Sequence, residues 1–113
     1  MKNSKLIYPP EGGALYHCNF IINGYKITNL IISNHYKKKH ASYMSDELII
    51  KFIENHLDSE IFTEGKKQGI WEYFVSEPLF YEKKSYRLVW LLNVNIPNFL
   101  GIVNCCYSNK KQK

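Results

Sequence analysis

The stretch "SDELIIKFIENHL", residues 45–57, carries the clearest helix signal in the chain and decides the fold class, because strand signals flank it on both sides. Its apolar residues recur at intervals of three and four, which places them on one face of a helix. Ser45 is a favourable N-cap, and Asp46 and Glu47 put negative charge where the helix dipole favours it. The pattern predicts an amphipathic helix over residues 46–57 whose apolar stripe consists of Leu48, Ile49, Phe52, Ile53 and Leu57.

A β-hairpin is predicted upstream of this helix, over residues 14–32. Every second residue between Tyr16 and Ile22 is apolar, and Tyr25–Ile32 follows as a returning strand. Asn23-Gly24 lies between the two strands and is typical of a two-residue type I′ turn, which requires positive φ at both positions. Residues 1–13 precede the hairpin and are predicted to form an N-terminal arm.

Three strands are predicted downstream of the helix. Residues 70–93 contain two strand patterns joined by a tight turn near Lys83-Lys84, and "FLGIVNCCY" at 99–107 forms a last, mostly apolar strand. The segment "EGKKQG" at 64–69 is predicted to be a turn. Pro78 has no backbone N–H to donate, so we expect it at a sheet edge or a bulge.

The apolar run at residues 88–92 does not alternate, which indicates a central strand covered on both faces. A short helix over about residues 35–43, capped by Ser33 or Asn34, completes the element list. The predicted order is β-β-α-α-β-β-β, and residues 33–107 hold the helices and the main part of the sheet. We therefore predict a single α+β domain: an antiparallel sheet with two helices packed on one face, followed by a basic tail at 108–113.

Bulk composition restricts the class of protein. At 113 residues, 45% hydrophobic and 22% charged, the chain is one folded domain rather than a disordered one. No run is long enough to span a membrane, and the first residues lack an apolar core of signal-peptide length. The three cysteines are an odd number without zinc spacing, which favours a reducing, cytoplasmic compartment and no metal or other cofactor.

The net charge of +5 is unevenly spread along the chain. Basic blocks at residues 33–44 and 65–113 flank an acidic stretch at 46–64. If the fold brings the two basic blocks together, they will attract phosphates and speed association. The alternative is that the lysine excess is compositional drift on solvated faces, as in the products of an AT-rich genome.

The heptapeptide "NHYKKKH" at 34–40 places two histidines around three lysines. His35 and His40 are five residues apart, about 140° around a helix, so they do not aim at one metal ion. Histidine titrates near neutral pH, so either side chain is a candidate general acid or base. The alternative interpretation is a solvated helix face with two incidental histidines.

Arg87 is the only arginine in the chain and lies within the apolar stretch "YRLVW". Its planar guanidinium matches a phosphate or carboxylate in a way that lysine does not. One interpretation is a phosphate clamp, and the other is a structural ion pair with Glu77 or Glu72.

Polar residues close the last predicted strand. Tyr107 is a candidate donor to a phosphate, and Asn104 must find hydrogen bonds within an apolar strand. The alternatives are that Asn104 satisfies a turn and that Tyr107 caps the core. Cys105 and Cys106 are interpreted as small core residues rather than nucleophiles.

Four segments together resemble a known class of proteins: "HYKKKHASYMSDELIIKFIE", "EYFVSEPLFY", "KSYRLVWLL" and "LGIVNCCY". Across about residues 30–108 the chain is similar to the barnase–EndoU–colicin–RelE-like (BECR) small nuclease toxins, especially the divergent phage, polymorphic-toxin and effector branch. The resemblance implies helices packed on a four-stranded antiparallel sheet and cleavage of RNA without a metal. It also implies RNA, including tRNA, as the substrate and a protein antidote as a partner.

The resemblance also implies roles for individual residues. The chain departs from the pattern of this class at Ser108, where the class is expected to have an arginine just after the closing tyrosine. In the implied reaction a ribose 2′-hydroxyl attacks the adjacent phosphate, which requires a base, an acid and a cation. The catalytic residues would be His40, His35, Arg87 and Tyr107, and the substrate-binding residues would be Lys38, Lys39, Asn104 and Lys84.

Two functions of other classes remain open at this point. One is a non-enzymatic binding module, of an immunity or adaptor kind, with an interaction face on the acidic helix. The other is RNA binding without cleavage. If His35 or His40, Arg87, and Asn104 or Tyr107 converge in one cleft, the nuclease is favoured. If they scatter, or if Arg87 is held in a buried ion pair, a binding protein is favoured.

Overall fold

A computed structural model describes residues 13–109, which form one six-stranded sheet with two short α-helices. The predicted arm at 1–13 therefore lies outside the described residues except for Gly13, as does the predicted tail after Asn109. The strand order across the sheet is β1-β2-β6-β5-β4-β3. The elements are β1 (Ala14–Ile22), β2 (Tyr25–Ile32), α1 (Lys37–His40), α2 (Asp46–Phe52), β3 (Lys66–Gln68), β4 (Trp71–Tyr81), β5 (Lys84–Asn93) and β6 (Ile96–Tyr107).

The α+β class is confirmed, but the sheet is mixed rather than antiparallel throughout. The predicted hairpin of β1 and β2 is present, and β3 to β6 form an antiparallel meander. These two units join through β2 and β6, which run parallel to each other. The helical segment carries the chain from β2 to the far edge, and the successive turns of the meander then determine the direction of β6. Alternation of side chains does not encode strand direction, so the sequence pattern could not predict this junction.

Two strand boundaries differ from the prediction. Lys66–Gln68 pairs with β4 as an edge strand, inside the segment 64–69 that was predicted to be a turn. All three of its residues are polar and exposed, so no alternation marks them as a strand. The last strand begins at Ile96, three residues before the predicted start at 99.

The helices start close to where the sequence predicts. Ser45 caps α2, since its hydroxyl accepts a hydrogen bond from the Leu48 N–H at 3.2 Å. The α-helix ends at Phe52 and continues as a π-helical turn to Leu57, so the helical extent matches the predicted 46–57. The first helix is shorter than the predicted 35–43: a 3₁₀ turn over Asn34–Tyr36 leads into the four residues of α1.

The core lies between the helical segment and one face of the sheet. Ile49 and Phe52 of α2 are buried there with Leu88 and Trp90 of β5. Trp90 stacks on Phe74 of β4 with ring centroids 4.3 Å apart. The central position of β5 is confirmed, because it lies between β6 and β4.

The register of the meander aligns one end of three strands. β4 carries a bulge between Ser76 and Leu79, at the place predicted from Pro78, and its last residue lies opposite Lys84 of β5. Tyr86 of β5 lies opposite Tyr107 of β6. Directly opposed residues point to the same face, so side chains from all three strand ends meet beneath the helical segment.

Candidate functional site

Three tyrosines gather at this end of the sheet. Tyr43 lies in the turn after α1, and its ring stacks on that of Tyr107 with centroids 3.8 Å apart and planes 3° apart. Tyr86 is buried beneath them, with its ring 5.2 Å from that of Tyr107. Tyr107 itself is 42% exposed. The result is an aromatic stack that is anchored in the core and open to solvent on one side.

His40 joins this stack through a hydrogen bond. The Tyr43 hydroxyl lies 2.8 Å from Nδ1 of His40, and it accepts a hydrogen bond from the Tyr107 N–H at 3.2 Å. Burial raises the pKa of Tyr43, so its hydroxyl remains protonated at neutral pH. The contact engages Nδ1 whichever of the two atoms donates, and when Nδ1 carries the ring proton, Nε2 is the nitrogen that can accept a proton from a substrate.

Lys84 supplies a positive charge to the same place. Its ammonium group lies 5.5 Å from the centre of the Tyr107 ring, within the range of a cation–π contact. Lys84 comes from the second basic block of the sequence and His40 from the first, so the fold brings residues of the two blocks together. We refer to His40, Tyr43, Tyr107 and Lys84 as the His40 cluster.

The predicted Arg87 is on the other side of the sheet. It follows Tyr86 directly along β5, and successive strand residues point to opposite faces. Its guanidinium pairs with Glu77, with Nε 3.5 Å from the carboxylate, and the Ser108 hydroxyl donates to the other oxygen of Glu77 at 2.7 Å. Glu77 is therefore the ion-pair partner, as one of the two sequence interpretations of Arg87 expected.

Asn104 shares that other face. It lies opposite Val89, on the same side as Arg87, and its side-chain oxygen accepts a hydrogen bond from the Cys105 N–H at 2.9 Å. His35 is exposed on the 3₁₀ turn, and Lys38 and Lys39 are exposed on α1 just before His40. The structure thus brings His40, Tyr107 and Lys84 together and separates Arg87 and Asn104 from them.

Tyr43 is the member of the cluster that the sequence interpretation missed. It lies three residues after His40, the spacing at which two side chains share one side of a helical turn. That spacing was available in the sequence, but the stack with Tyr107 requires contact across 64 residues.

A second hydrogen-bonded group anchors the helical segment that carries the cluster. Asp46 accepts hydrogen bonds from the hydroxyls of Tyr16 at 2.7 Å and Tyr36 at 2.6 Å. This carboxylate therefore joins α2 to β1 and to the 3₁₀ turn. The hydrogen bond to the carboxylate raises the pKa of Tyr16, and burial, together with the same carboxylate, raises that of Tyr36.

Cys105 and the potential metal ligands are further candidate sites of chemistry. Burial raises the pKa of Cys105 to about 12, so its thiol is a core group rather than a nucleophile. Within residues 13–109, no group of three histidine, cysteine or carboxylate side chains is placed to hold a metal ion. No helix in the same residues is long and apolar enough to cross a membrane.

Comparisons with protein families, with curated proteins and with solved structures find no significant match.

Proposed function

We propose that this protein is a small metal-independent endoribonuclease whose reaction centre is the His40 cluster. The observation that carries the proposal is the hydrogen bond that holds Nδ1 of His40 on Tyr43, beside the exposed Tyr107 and the ammonium of Lys84. A general base, a hydroxyl donor and a cation at one place are the groups that transesterification of RNA needs.

In the proposed reaction, His40, Tyr107 and Lys84 each have one role. Nε2 of His40 takes the proton of the ribose 2′-hydroxyl while Nδ1–H donates to the Tyr43 oxygen. The 2′-oxygen then attacks the adjacent phosphorus, and the bond to the 5′-oxygen breaks to leave a 2′,3′-cyclic phosphate. The Tyr107 hydroxyl donates a proton to the departing 5′-oxygen, and Lys84 stabilises the charge of the phosphorane.

The test compares RNA cleavage by the wild type with that by His40→Ala, His35→Ala and Arg87→Ala, with a metal chelator present. We expect His40→Ala to lose about 100-fold or more, the usual contribution of a general base. His35 is exposed and five residues away, so His35→Ala serves as the matched control and should cleave like the wild type.

Arg87→Ala should also retain most of the activity, because the side chain lies on the opposite face and pairs with Glu77. The proposal fails if the wild type leaves single-stranded RNA and tRNA intact. The site assignment fails if His40→Ala cleaves as well as the wild type. It also fails if Arg87→Ala loses about 100-fold or more of the activity.

RNA binding without cleavage is the second candidate function. The position of Arg87 favours it, since Arg87 pairs with Glu77 on the opposite face and does not converge with His40, the arrangement expected of a binding protein. In the nuclease proposal, Lys84 has the role of the cation instead. If the protein only binds RNA, the RNA in the same assay is not cleaved, and the affinity of the protein for RNA falls steeply as the salt concentration rises.

A further inference from the structure

A groove opens beside the His40 cluster, between α2 and the end of β4. Its volume is about 460 Å³, within the usual range for sites that bind small ligands. It contains an aromatic ring, a lysine and a carboxylate, and none of these takes part in the proposed reaction. The groove is lined by Ser45, Glu47, Leu48, Ile50, Lys51 and Tyr81.

Tyr81 and Lys51 repeat the arrangement of Tyr107 and Lys84. The Lys51 ammonium lies 5.7 Å from the centre of the Tyr81 ring, against 5.5 Å for the first pair. Phe52 meets Tyr81 edge to face, with centroids 6.3 Å apart and planes 86° apart, which holds the ring in place. The fold therefore presents two tyrosine rings, each accompanied by a lysine, on one surface.

The two pairs are also adjacent. Tyr81 lies directly opposite Lys84, and Tyr86, two residues further along β5 on the same face, lies opposite Tyr107. β4 and β6 are two strand spacings apart, about 10 Å, and Tyr107 is offset by two residues, about 7 Å, along the strands, so the two tyrosine Cα positions are roughly 12 Å apart. A single extended nucleic-acid strand could contact both rings at that separation.

We propose that Tyr81 and Lys51 form a second nucleotide subsite, which takes an unpaired base of the same single-stranded RNA that passes through the His40 cluster. The inference rests on the proposed function for the identity of that strand. The Tyr81 ring stacks on the base, and Lys51 and Lys84 contact the phosphates on either side. Glu47 repels phosphate, so the base edge lies on the Glu47 side of the groove and the phosphate on the Lys51 side.

Stacking on a protein ring requires a base that has left its own stack. Bases in a duplex are already stacked and paired, so they cannot lie on Tyr81. The proposed subsite therefore prefers single-stranded RNA to duplex RNA.

The test measures binding of a labelled single-stranded RNA oligonucleotide to the full chain carrying His40→Ala, so that cleavage does not interfere. We expect Tyr81→Leu to weaken binding at least fivefold, which is about the lower limit for loss of one stacked base. Tyr73→Leu is the matched control, since Tyr73 is also half-buried in β4 but opposes Leu91 on the far face. Thermal unfolding of each variant separates lost binding from lost folding.

A second pair of variants does not disturb the core. Lys51→Ala should lower the dependence of log Kd on log salt by about 0.7, the value for one phosphate contact on a single strand. Lys26→Ala removes another exposed lysine, at the β1–β2 hairpin, as the control. It should leave the affinity within about twofold of the parent, whereas Lys51→Ala should weaken binding by more than about twofold. A duplex of the same sequence should bind more weakly than the single strand.

The outcomes distinguish the subsite from the proposed reaction. If the wild type cleaves RNA but Tyr81→Leu and Tyr73→Leu bind equally well, the subsite is wrong and the reaction centre stands. If binding depends on Tyr81 but no RNA is cleaved, the subsite stands and the nuclease is wrong. If the His40→Ala protein does not bind single-stranded RNA, the subsite is overturned outright.

Discussion

At the scale of single residues, the chemistry of His40 depends on a neighbour that no motif singles out. Tyr43 makes three contacts: its hydroxyl is hydrogen-bonded to Nδ1 of His40 and to the N–H of Tyr107, and its ring stacks on the Tyr107 ring. It therefore couples the histidine to the end of β6. We regard Tyr43 as a positioning residue, because it acts on the substrate through His40.

Tyr43→Phe tests this positioning role, since it keeps the ring stack and removes only the hydroxyl. We expect kcat for RNA cleavage to fall about tenfold, the equivalent of one hydrogen bond, with KM unchanged. Steady-state kinetics on a short RNA gives both constants, and Tyr25→Phe, at an exposed tyrosine of the β1–β2 hairpin, is the control. A rise in KM at constant kcat would instead show that Tyr43 contacts the substrate directly.

At the scale of elements, the helical segment is held to the sheet by polar contacts as well as by its apolar stripe. Asp46 occupies the first turn of α2 and receives hydroxyl hydrogen bonds from β1 and from the 3₁₀ turn. Tyr36 is only 2% exposed, so its hydroxyl has little access to water if the carboxylate is lost. The placement of α1, and with it His40, depends on this group.

Asp46→Asn is expected to destabilise the fold, because a neutral amide accepts more weakly and offers one oxygen to two donors. We expect a loss of about 1–3 kcal/mol in the free energy of unfolding, measured with urea. Glu47→Gln removes a charge from the same first turn at an exposed position and should cost less than about 0.5 kcal/mol. Equal effects of the two substitutions would mean that helix-dipole electrostatics, and not the tyrosine contacts, give Asp46 its importance.

At the scale of the whole molecule, the core contains groups whose protonated form is favoured by burial, so folding becomes less favourable at alkaline pH. Burial raises the pKa of Cys105 from 9.0 to about 12 and raises the pKa of Tyr86 above 10.0. When the pH exceeds the unfolded-state value, the unfolded chain releases protons that the folded chain retains. The stabilising contribution is therefore complete below about pH 9 and is lost progressively as the pH rises towards 12.

Urea unfolding at a series of pH values should show this loss. The free energy of unfolding is expected to fall above about pH 9 by up to about 1.4 kcal/mol per pH unit for each such group. Cys105→Val removes one of the groups, so its stability should fall less steeply between pH 9 and about 12, whereas Cys106→Val retains the buried thiol. An unchanged slope in Cys105→Val would assign the alkaline loss to the tyrosines alone.

The sequence predicted local structure well where a pattern repeats over several residues. The helical segment 46–57, the hairpin at Asn23-Gly24 and the bulge near Pro78 are all present. It failed where the pattern is short or polar, as in the three-residue strand β3, and where direction matters, as in the parallel junction of β2 and β6. The catalytic and substrate-binding roles assigned from the resemblance remain predictions.

What the sequence determined by itself is which face of its long periodic elements, such as α2, is buried, because periods of 2 and 3.6 residues reflect burial. What only the tertiary structure decided is which exposed residues meet. His40 and Tyr107 are far apart in the chain but are joined through Tyr43, while Tyr86 and Arg87 are neighbours in the chain and point to opposite faces. The physical reason is that strand register and direction, which set these encounters, depend on pairing between distant segments and leave no periodic trace in any one of them.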